Sequence, residues 1–199
     1  MKDVVIVGGG VAGLGAALTL CSLNEKSGKF SVSVFDGGKS DFKKAELYNV
    51  PFLKKGFSGI EALNEIKAQI NTFGNVEFKD EEVISITGEK GNFEVKSNSG
   101  SVSCKYVILA TGAHELNVTL NGKEIKTVPH ELMPKPGMIR VEFSGRQQLQ
   151  DGIYVAGLVA GVTTMFATAL GSGVEAACAI FSDVEGKVVI SHDSPNSRA

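Results

Sequence analysis

The chain has 199 residues and a formal net charge of −2, and 43% of its residues are apolar against 21% charged. This length suits one domain, and the ordinary balance of apolar and charged residues indicates a globular protein. The sequence contains no basic run, so neither nucleic acid nor an anionic membrane surface is predicted as a partner.

Two uncharged stretches, residues 4–23 and 152–174, are long enough to resemble membrane spans. Each contains five glycines, and a buried strand, a glycine turn and a buried helix explain both stretches better. We therefore predict no membrane span. The three residues Met1, Lys2 and Asp3 are too few and too acidic for the start of a secretory signal, so a cytoplasmic location is expected.

The cysteines are distributed singly along the chain, at Cys21, Cys104 and Cys178, and none belongs to a C-x-x-C pair. Local spacing therefore predicts neither a metal site nor a redox-active dithiol. All three fall in apolar patterns, which favours inert buried thiols.

The first element carries the most specific motif of the sequence. Residues 4–7 form an apolar run typical of a parallel strand buried on both faces, and a helix is predicted over residues 11–23. Between them, Gly8, Gly10 and Gly13 form G-x-G-x-x-G. The first glycine permits the tight turn, the second lets a pyrophosphate approach the backbone, and the third lets the helix pack on the strand.

A second strand follows and ends at Asp36, 23 residues after Gly13. This spacing is close to the roughly 20 residues expected before the carboxylate that binds a ribose hydroxyl. The alternative, a glycine-rich turn without a ligand, does not explain why strand, helix and acidic residue occur together. The sequence therefore predicts a dinucleotide-binding βαβ unit.

A β-meander distinguishes the middle of the chain. After a helix predicted over residues 57–73, three strands joined by two turns are predicted over residues 82–104, and the last continues into a buried strand over residues 106–110. Simple nicotinamide-binding domains continue with βαβ units instead. A final strand and a glycine turn follow, and then a helix predicted over residues 163–181. These elements complete a predicted α/β fold with a central parallel sheet.

Six motifs occur in the order found in the thioredoxin-reductase-like, FAD-dependent pyridine nucleotide–disulfide oxidoreductases: IVGGGVAGLGAA, FDGG, YNVP, GFSGIEAL, VILATGA and GIYVAGL with ALGSGVEAA. The chain resembles this family over residues 1–116 and 137–182. The resemblance implies a Rossmann-like FAD-binding domain over residues 1–182, whose two parts are joined by residues 117–136. Residues 183–199 are expected to form a C-terminal tail, whose end, residues 192–199, is polar and expected to be disordered.

The resemblance implies FAD as the cofactor and assigns a role to each matching position. The glycine turn would hold the pyrophosphate, Asp36 the adenosine ribose, the backbone of Val83 the adenine, and Asn49 the flavin ring. The start of the last helix, near Thr164, would face the part of the flavin that becomes negative on reduction. The complete set of expected cofactor-binding residues is Gly8, Gly10, Val11, Ala12, Gly13, Asp36, Gly37, Asn49, Val83, Ala110, Thr111, Gly112, Gly157, Leu158, Thr164 and Met165.

One departure from the family concerns the segment between the two parts. Family members carry an inserted NADPH domain there, with the redox-active C-x-x-C. The segment from Ala113 to Asp151 has only 39 residues, fewer than the smallest usual domain of about 50 residues. We therefore predict no inserted NADPH domain and no thioredoxin reductase activity. The protein is expected to be an FAD-binding oxidoreductase that is reduced by a separate partner protein or a small donor.

Leu158 is a second departure, because the family has an aspartate there that bonds a ribityl hydroxyl. One such hydrogen bond contributes about 0.5–1.5 kcal/mol, or up to ~3 kcal/mol if charged. Its loss keeps an alternative open, in which the protein is a non-catalytic module that binds FAD or only its ADP half.

No catalytic residue follows from the sequence. His114, directly after the ATGA motif, is either a proton donor near the flavin or a polar residue where the strand ends. Surface positions are expected for His130 and His192. Solvated loop positions are expected for Lys43 and Lys44, with steering of the pyrophosphate as the alternative.

Assembly is the last expectation. Family members commonly pair through their FAD domains, so a homodimer is predicted. Residues 118–135 alternate apolar and polar side chains around glycine and proline, which favours a short hairpin over a helix. This segment or the last helix is expected to contribute to the dimer interface.

Overall fold

The computed structural model describes residues 1–27, 30–133 and 135–189. The helices are α1 Val11–Ser27, α2 Gly59–Asn71 and α3 Phe166–Glu185, with short 3-10 helices at Asp41–Lys44 and Gly157–Ala160. The strands are β1 Lys2–Val7, β2 Val32–Phe35, β3 Glu46–Leu47, β4 Phe57–Ser58, β5 Val76–Lys79, β6 Val83–Glu89, β7 Asn92–Ser97, β8 Ser101–Leu109, β9 Thr119–Leu120, β10 Lys123–Glu124, β11 Thr127–Pro129, β12 Ile139–Val141, β13 Gln148–Gln150 and β14 Ile153–Val155.

A parallel sheet in the order β14-β8-β1-β2-β5 forms the centre of the fold. Its middle strands are runs of β-branched residues with both faces covered, as parallel sheets require. On one face, Val4 and Ile6 pack with α1, α2 and α3 in one apolar cluster. On the other face, Val5 and Val7 pack with the strands of the meander.

The long strand β8 connects the two sheet regions. Its first residues pair antiparallel with β7, and from Cys104 onwards it pairs parallel with β1. Strands β6, β7 and β8 are the predicted meander. The predicted α/β fold with a central parallel sheet and a three-stranded meander is therefore confirmed.

Helices α1 and α3 cross in close backbone contact because glycines lie at their crossing. A Cβ on Gly173 would lie 2.0 Å from the carbonyl oxygen of Ala12, and one on Gly15 would lie 2.8 Å from the carbonyl oxygen of Leu170. This contact brings the N-termini of α1 and α3 to the same edge of the sheet.

The helix bounds differ from the predictions for local reasons. Helix α2 begins at Gly59 and not at 57, because residues 57 and 58 pair with β3 and the Ser58 N–H is capped by the Glu61 carboxylate at 3.3 Å. Met165 is extended, so α3 begins at Phe166, three residues after the predicted start at 163. It ends before Gly186, which has a φ of 67°, so its last turn lies within the segment predicted to be a tail.

The segment after Ala113 forms strands, as predicted, and no helix among its described residues. Strands β9 and β10 form a hairpin beside β6, and β11 pairs with β12. The N–H of Ile139 donates to the carbonyl of Ala113 at 2.8 Å, so the segment leaves the domain and returns to it at one point.

No helix within the described ranges is long and apolar enough to cross a membrane. Pro134 and the end of the predicted tail, residues 190–199, lie outside the described residues, and so does His192.

Candidate cofactor-binding cleft

A cleft of about 660 Å³ opens at the carboxyl ends of the central strands, between the N-termini of α1 and α3. Ligands of open α/β sheets bind at this edge. Fifteen of the sixteen predicted site residues line the cleft: Gly8, Gly10, Val11, Ala12, Asp36, Gly37, Asn49, Val83, Ala110, Thr111, Gly112, Gly157, Leu158, Thr164 and Met165.

Gly13, the remaining predicted residue, lies beneath the floor of the cleft. A Cβ on Gly13 would lie 1.9 Å from the carbonyl oxygen of Gly8, and a Cβ on Gly8 would lie 2.2 Å from that of Ala110. These two glycines therefore let α1, β1 and β8 meet backbone to backbone. Gly10 differs, because the nearest atom to its Cβ would be the Ser40 Oγ at 3.3 Å. The open side of Gly10 and the first turn of α1 form a cradle that fits a pyrophosphate.

Asp36 is fixed at the end of β2 by three contacts. Its Oδ1 accepts the N–H of Gly38 at 2.9 Å, and its Oδ2 lies 3.3 Å from the Lys67 Nζ. Gly9 packs directly against the carboxylate, since a Cβ there would lie 2.5 Å from the Asp36 Cγ. Gly9 and Lys67 were not predicted. The triple glycine is the available signal for Gly9, whereas Lys67 lies on α2 and has no signal in the sequence.

The Thr111 hydroxyl is the clearest sign of a polar ligand. Its Oγ1 is buried and has no hydrogen-bond partner among the described residues, although Thr111 lines the cleft. A buried hydroxyl without a partner costs about 1–3 kcal/mol, which a ligand with hydroxyl or phosphate groups would offset. Together with the glycine cradle and the Asp36 carboxylate, this donor and acceptor set fits FAD.

The opposite end of the cleft, where the resemblance places the flavin, has fewer polar partners. Leu158 lines the wall at the position where the resemblance implies an aspartate. The neighbouring Gly157 N–H is buried and donates to the Ser172 Oγ at 2.9 Å, so that N–H is not free for a ligand. Asn49 and the N-terminus of α3, at Met165, remain open to the cleft.

His114 and Asp41 form a pair at the mouth of the cleft. The His114 Nε2 lies 2.5 Å from the Asp41 Oδ2, although the two residues are 73 positions apart in the sequence. The hydrogen bond with His114 holds the pKa of the Asp41 carboxyl below its ordinary value. The proton-donor role of His114 therefore remains a hypothesis, now with Asp41 as its partner.

The prediction that His130 lies on the surface is wrong. Only 6% of this residue is exposed, and its Nδ1 accepts the N–H of Leu132 at 3.2 Å. The turn after β11 folds back towards β12, because the His130 N–H donates to the Met138 carbonyl at 2.9 Å. No sequence pattern predicts this burial, because His130 is a polar residue in a proline-containing segment.

The segment between Ala113 and Ile139 also forms part of the cleft, which the sequence did not indicate. It contributes Asn117, Val118, Met133 and Met138 to the lining. The segment is therefore a wall of the cleft as well as a connection.

The cysteines lie away from the cleft lining. Burial raises the pKa of the Cys21 and Cys104 thiols to about 12, as expected for inert thiols. Cys178 is only partly buried, contrary to the prediction. Within the described part of the chain, no three His, Cys, Asp or Glu side chains group closely enough to hold a metal ion.

Comparisons with known proteins agree with this geometry. A family model described as pyridine nucleotide-disulphide oxidoreductase matches residues 2–134. A thioredoxin reductase of Treponema pallidum (strain Nichols) is 33% identical over 121 residues, which are 61% of this chain and 38% of that protein. A ferredoxin–NADP reductase of Granulibacter bethesdensis is 29% identical over 114 residues, 56% of this chain and 32% of that protein. The chain thus matches well under half the length of these two relatives.

Solved structures show the same fold. A thioredoxin reductase from Gloeobacter violaceus has a TM-score of 0.75 at 16% identity, covering 97% of this chain and 98% of that chain. An oxidoreductase from Agrobacterium tumefaciens has a TM-score of 0.74 at 16% identity, covering 93% of this chain and 99% of that chain.

The family match extends over most of the chain and includes the glycine turn, Asp36 and the ATGA motif. Members of this family are FAD-binding oxidoreductases, and the cleft has the cradle and the polar partners that FAD requires. The chain therefore belongs to the pyridine nucleotide-disulphide oxidoreductase family, and FAD is its cofactor.

Proposed function

We propose that the protein is an FAD-dependent oxidoreductase that is reduced by a separate protein or a small donor. The observation that carries this proposal is the short segment between Ala113 and Ile139, whose two ends are joined by a hydrogen bond. Its described residues form two small pairs of strands where the family carries an NADPH domain. Reducing equivalents would then have to reach the cleft from another molecule.

The proposed roles of the chain's residues combine the family resemblance with the geometry of the cleft. The first turn of α1 binds the pyrophosphate with backbone N–H groups, and Asp36 accepts hydrogen bonds from the ribose. The N-terminus of α3 stabilises negative charge at the flavin end, and Asn49 faces the ring. FAD, when bound, supplies the transfer of electrons or hydride. No internal dithiol takes part, because the sequence has no C-x-x-C pair.

The proposal is tested by reduction of the reconstituted protein without oxygen. We expect the flavin absorbance to persist with NADH or NADPH alone and to decrease when dithionite or a fraction of cell extract is added. Reduction by dithionite is the control that the bound flavin is redox-active. A bound flavin that dithionite fails to reduce would contradict the proposal, and rapid reduction by NADH or NADPH alone would identify the nucleotide as the small donor and exclude the need for a partner protein.

A second candidate is a non-catalytic module that binds FAD or only its ADP half. The flavin end of the cleft favours it, because Leu158 is apolar and the Gly157 N–H is already bonded to Ser172. Calorimetry with FAD and ADP separates the two candidates. Equal affinities for the two ligands would support a module that binds only the ADP half. Tighter binding of FAD, together with reduction of the bound flavin by cell extract, would support the oxidoreductase.

We also propose that the protein acts in the cytoplasm as a homodimer. The exposed side chain of Leu132, in the segment between β11 and β12, supports an interface there. Because this segment also lines the cleft, its removal would reduce FAD binding as well as dimerisation. A point substitution at Leu132 is therefore the better test.

A further inference from the structure

Asp36, the expected ribose-binding residue, is paired with a lysine that does not line the cleft. The Lys67 Nζ lies 3.3 Å from the Asp36 Oδ2, and the two side chains are 29% and 10% exposed. Lys67 comes from the second half of α2, 31 residues away from Asp36, and it is absent from the cleft lining. Lys67 therefore contacts Asp36 from outside the cleft and not from the position expected for the ribose.

The contacts of Asp36 leave it a defined capacity for a ligand. An ionised carboxylate offers about four acceptor sites, two on each oxygen. The Gly38 N–H uses one site on Oδ1, and Lys67 uses one site on Oδ2. One site on each oxygen remains, which matches the two neighbouring hydroxyls of a ribose.

Lys67 is itself held in a fixed position. Its ammonium lies 5.6 Å from the ring centroid of Phe78 on β5, next to β2. Gly9 packs against the other side of the Asp36 carboxylate. The carboxylate is therefore in contact with the Gly9 backbone, the Gly38 N–H and the Lys67 ammonium. Rotation of the Asp36 side chain would break the contact with Lys67.

We propose that Lys67 is a positioning residue that orients Asp36 for the ribose diol of the cofactor. The inference rests on binding of the adenosine half in the cleft, which both functions proposed above share. Without Lys67, the carboxylate would lose one of its two hydrogen-bonded contacts, and its oxygens would no longer be aligned with both hydroxyls. A charge-assisted hydrogen bond depends on such alignment.

The test compares ADP with 2′,3′-dideoxy-ADP by calorimetry. We expect Lys67→Met to weaken ADP binding about fivefold to tenfold, the range of one charge-assisted hydrogen bond that loses its geometry. Binding of 2′,3′-dideoxy-ADP should change by less than about twofold, because it lacks the hydroxyls that Asp36 binds. Lys67→Arg should restore the preference for ADP.

Two controls separate positioning from a structural role. Lys123→Met removes an exposed lysine on β10 and should change neither affinity. In an Asp36→Asn background, Lys67→Met should have no further effect on ADP binding, because coupled residues are not additive.

The possible outcomes are distinguishable. Equal weakening of both nucleotides by Lys67→Met, or an undiminished effect in the Asp36→Asn background, would overturn this inference alone. Failure of the wild-type protein to bind ADP would overturn the proposed function and this inference with it.

Discussion

At the carboxyl end of the central sheet, glycines and an unpartnered hydroxyl line the cleft, whereas ion pairs connect the elements at the amino end. There, Lys90 contacts Asp183 at 2.7 Å and Asp151 at 3.2 Å, and Lys105 contacts Asp3 at 2.8 Å. These pairs join the meander, the β13–β14 turn, the end of α3 and the start of β1. The difference indicates that binding capacity and stability are placed at opposite ends of the same strands.

The physical basis of this separation is the pairing of charged groups. At the amino end, hydrogen bonding to Asp183 raises the pKa of Lys90, so each charge has its partner within the protein. At the carboxyl end, Gly10 and Thr111 leave space and hydrogen-bonding capacity for a ligand. Substitutions at the amino end should therefore change stability alone, and those in the cleft should change affinity.

The largest effect is expected where the cleft depends on backbone contact. Gly13→Ala places a methyl group 1.9 Å from the Gly8 carbonyl oxygen, which α1 must move to avoid. We expect the free energy of unfolding to fall by roughly 3 kcal/mol and FAD binding to be lost. Gly10→Ala is the matched control, since its methyl group points into the cleft. It should keep the stability, measured by urea unfolding, and still weaken FAD binding about tenfold.

An alkaline pH tests the amino end. Burial raises the pKa of Tyr154 from its ordinary 10.0 to about 12, so the folded state keeps the phenol neutral. The resulting stabilisation is fully present below pH 10.0 and is lost as the pH rises towards about 12. Urea unfolding over this pH range should show a loss of stability to which Tyr154 contributes about 2 kcal/mol, in addition to the contribution of the buried Cys21 and Cys104 thiols. Tyr154→Phe should reduce that loss, and an unchanged pH dependence would contradict the assignment.

The ion pairs give the next prediction. Lys90→Met leaves Asp183 and Asp151 without their cation, and it should lower the free energy of unfolding by about 1–2 kcal/mol, because these groups are partly exposed. The affinity for FAD should be unchanged. Lys96→Met, on the exposed face of β7, is the control for loss of a lysine. A change in FAD affinity with Lys90→Met would break the distinction between the two ends.

A smaller gain is expected at the flavin end of the cleft. Leu158→Asp introduces the acceptor that the resemblance implies at this position, and FAD affinity should rise about tenfold, the effect of roughly one good hydrogen bond. ADP affinity should not change, because Leu158 belongs to the flavin half. Calorimetry with both ligands measures the two effects. Equal changes for FAD and ADP would show that the substitution acts on the whole cleft.

The smallest effect concerns the exposed flank of the cleft. Leu132→Asp introduces a charge at a side chain that is 56% exposed. We expect it to shift the proposed homodimer towards monomer while stability stays within about 0.5 kcal/mol. Light scattering at micromolar concentration measures the change. A wild-type protein that is already monomeric would rule the dimer out.

The sequence predicted the parts of the site that depend on local pattern. Strand, glycine turn, helix and Asp36 follow each other along the chain, so the spacing alone located the cradle. Lys67, the partner of Asp36, and Asp41, the partner of His114, come from distant elements and are fixed only by tertiary packing. The burial of His130 has the same cause, because it depends on how β11 pairs with β12.

The hydrogen bond between Ala113 and Ile139 marks a position where a domain can be inserted into the fold. Because the chain leaves and returns within 2.8 Å, a domain of any size can be spliced in or out there without stretching the sheet. The entropic cost of a longer loop grows only with the logarithm of its length. If the proposed function holds, a reductase domain fused at this position would supply the reducing equivalents that the protein otherwise takes from an external donor.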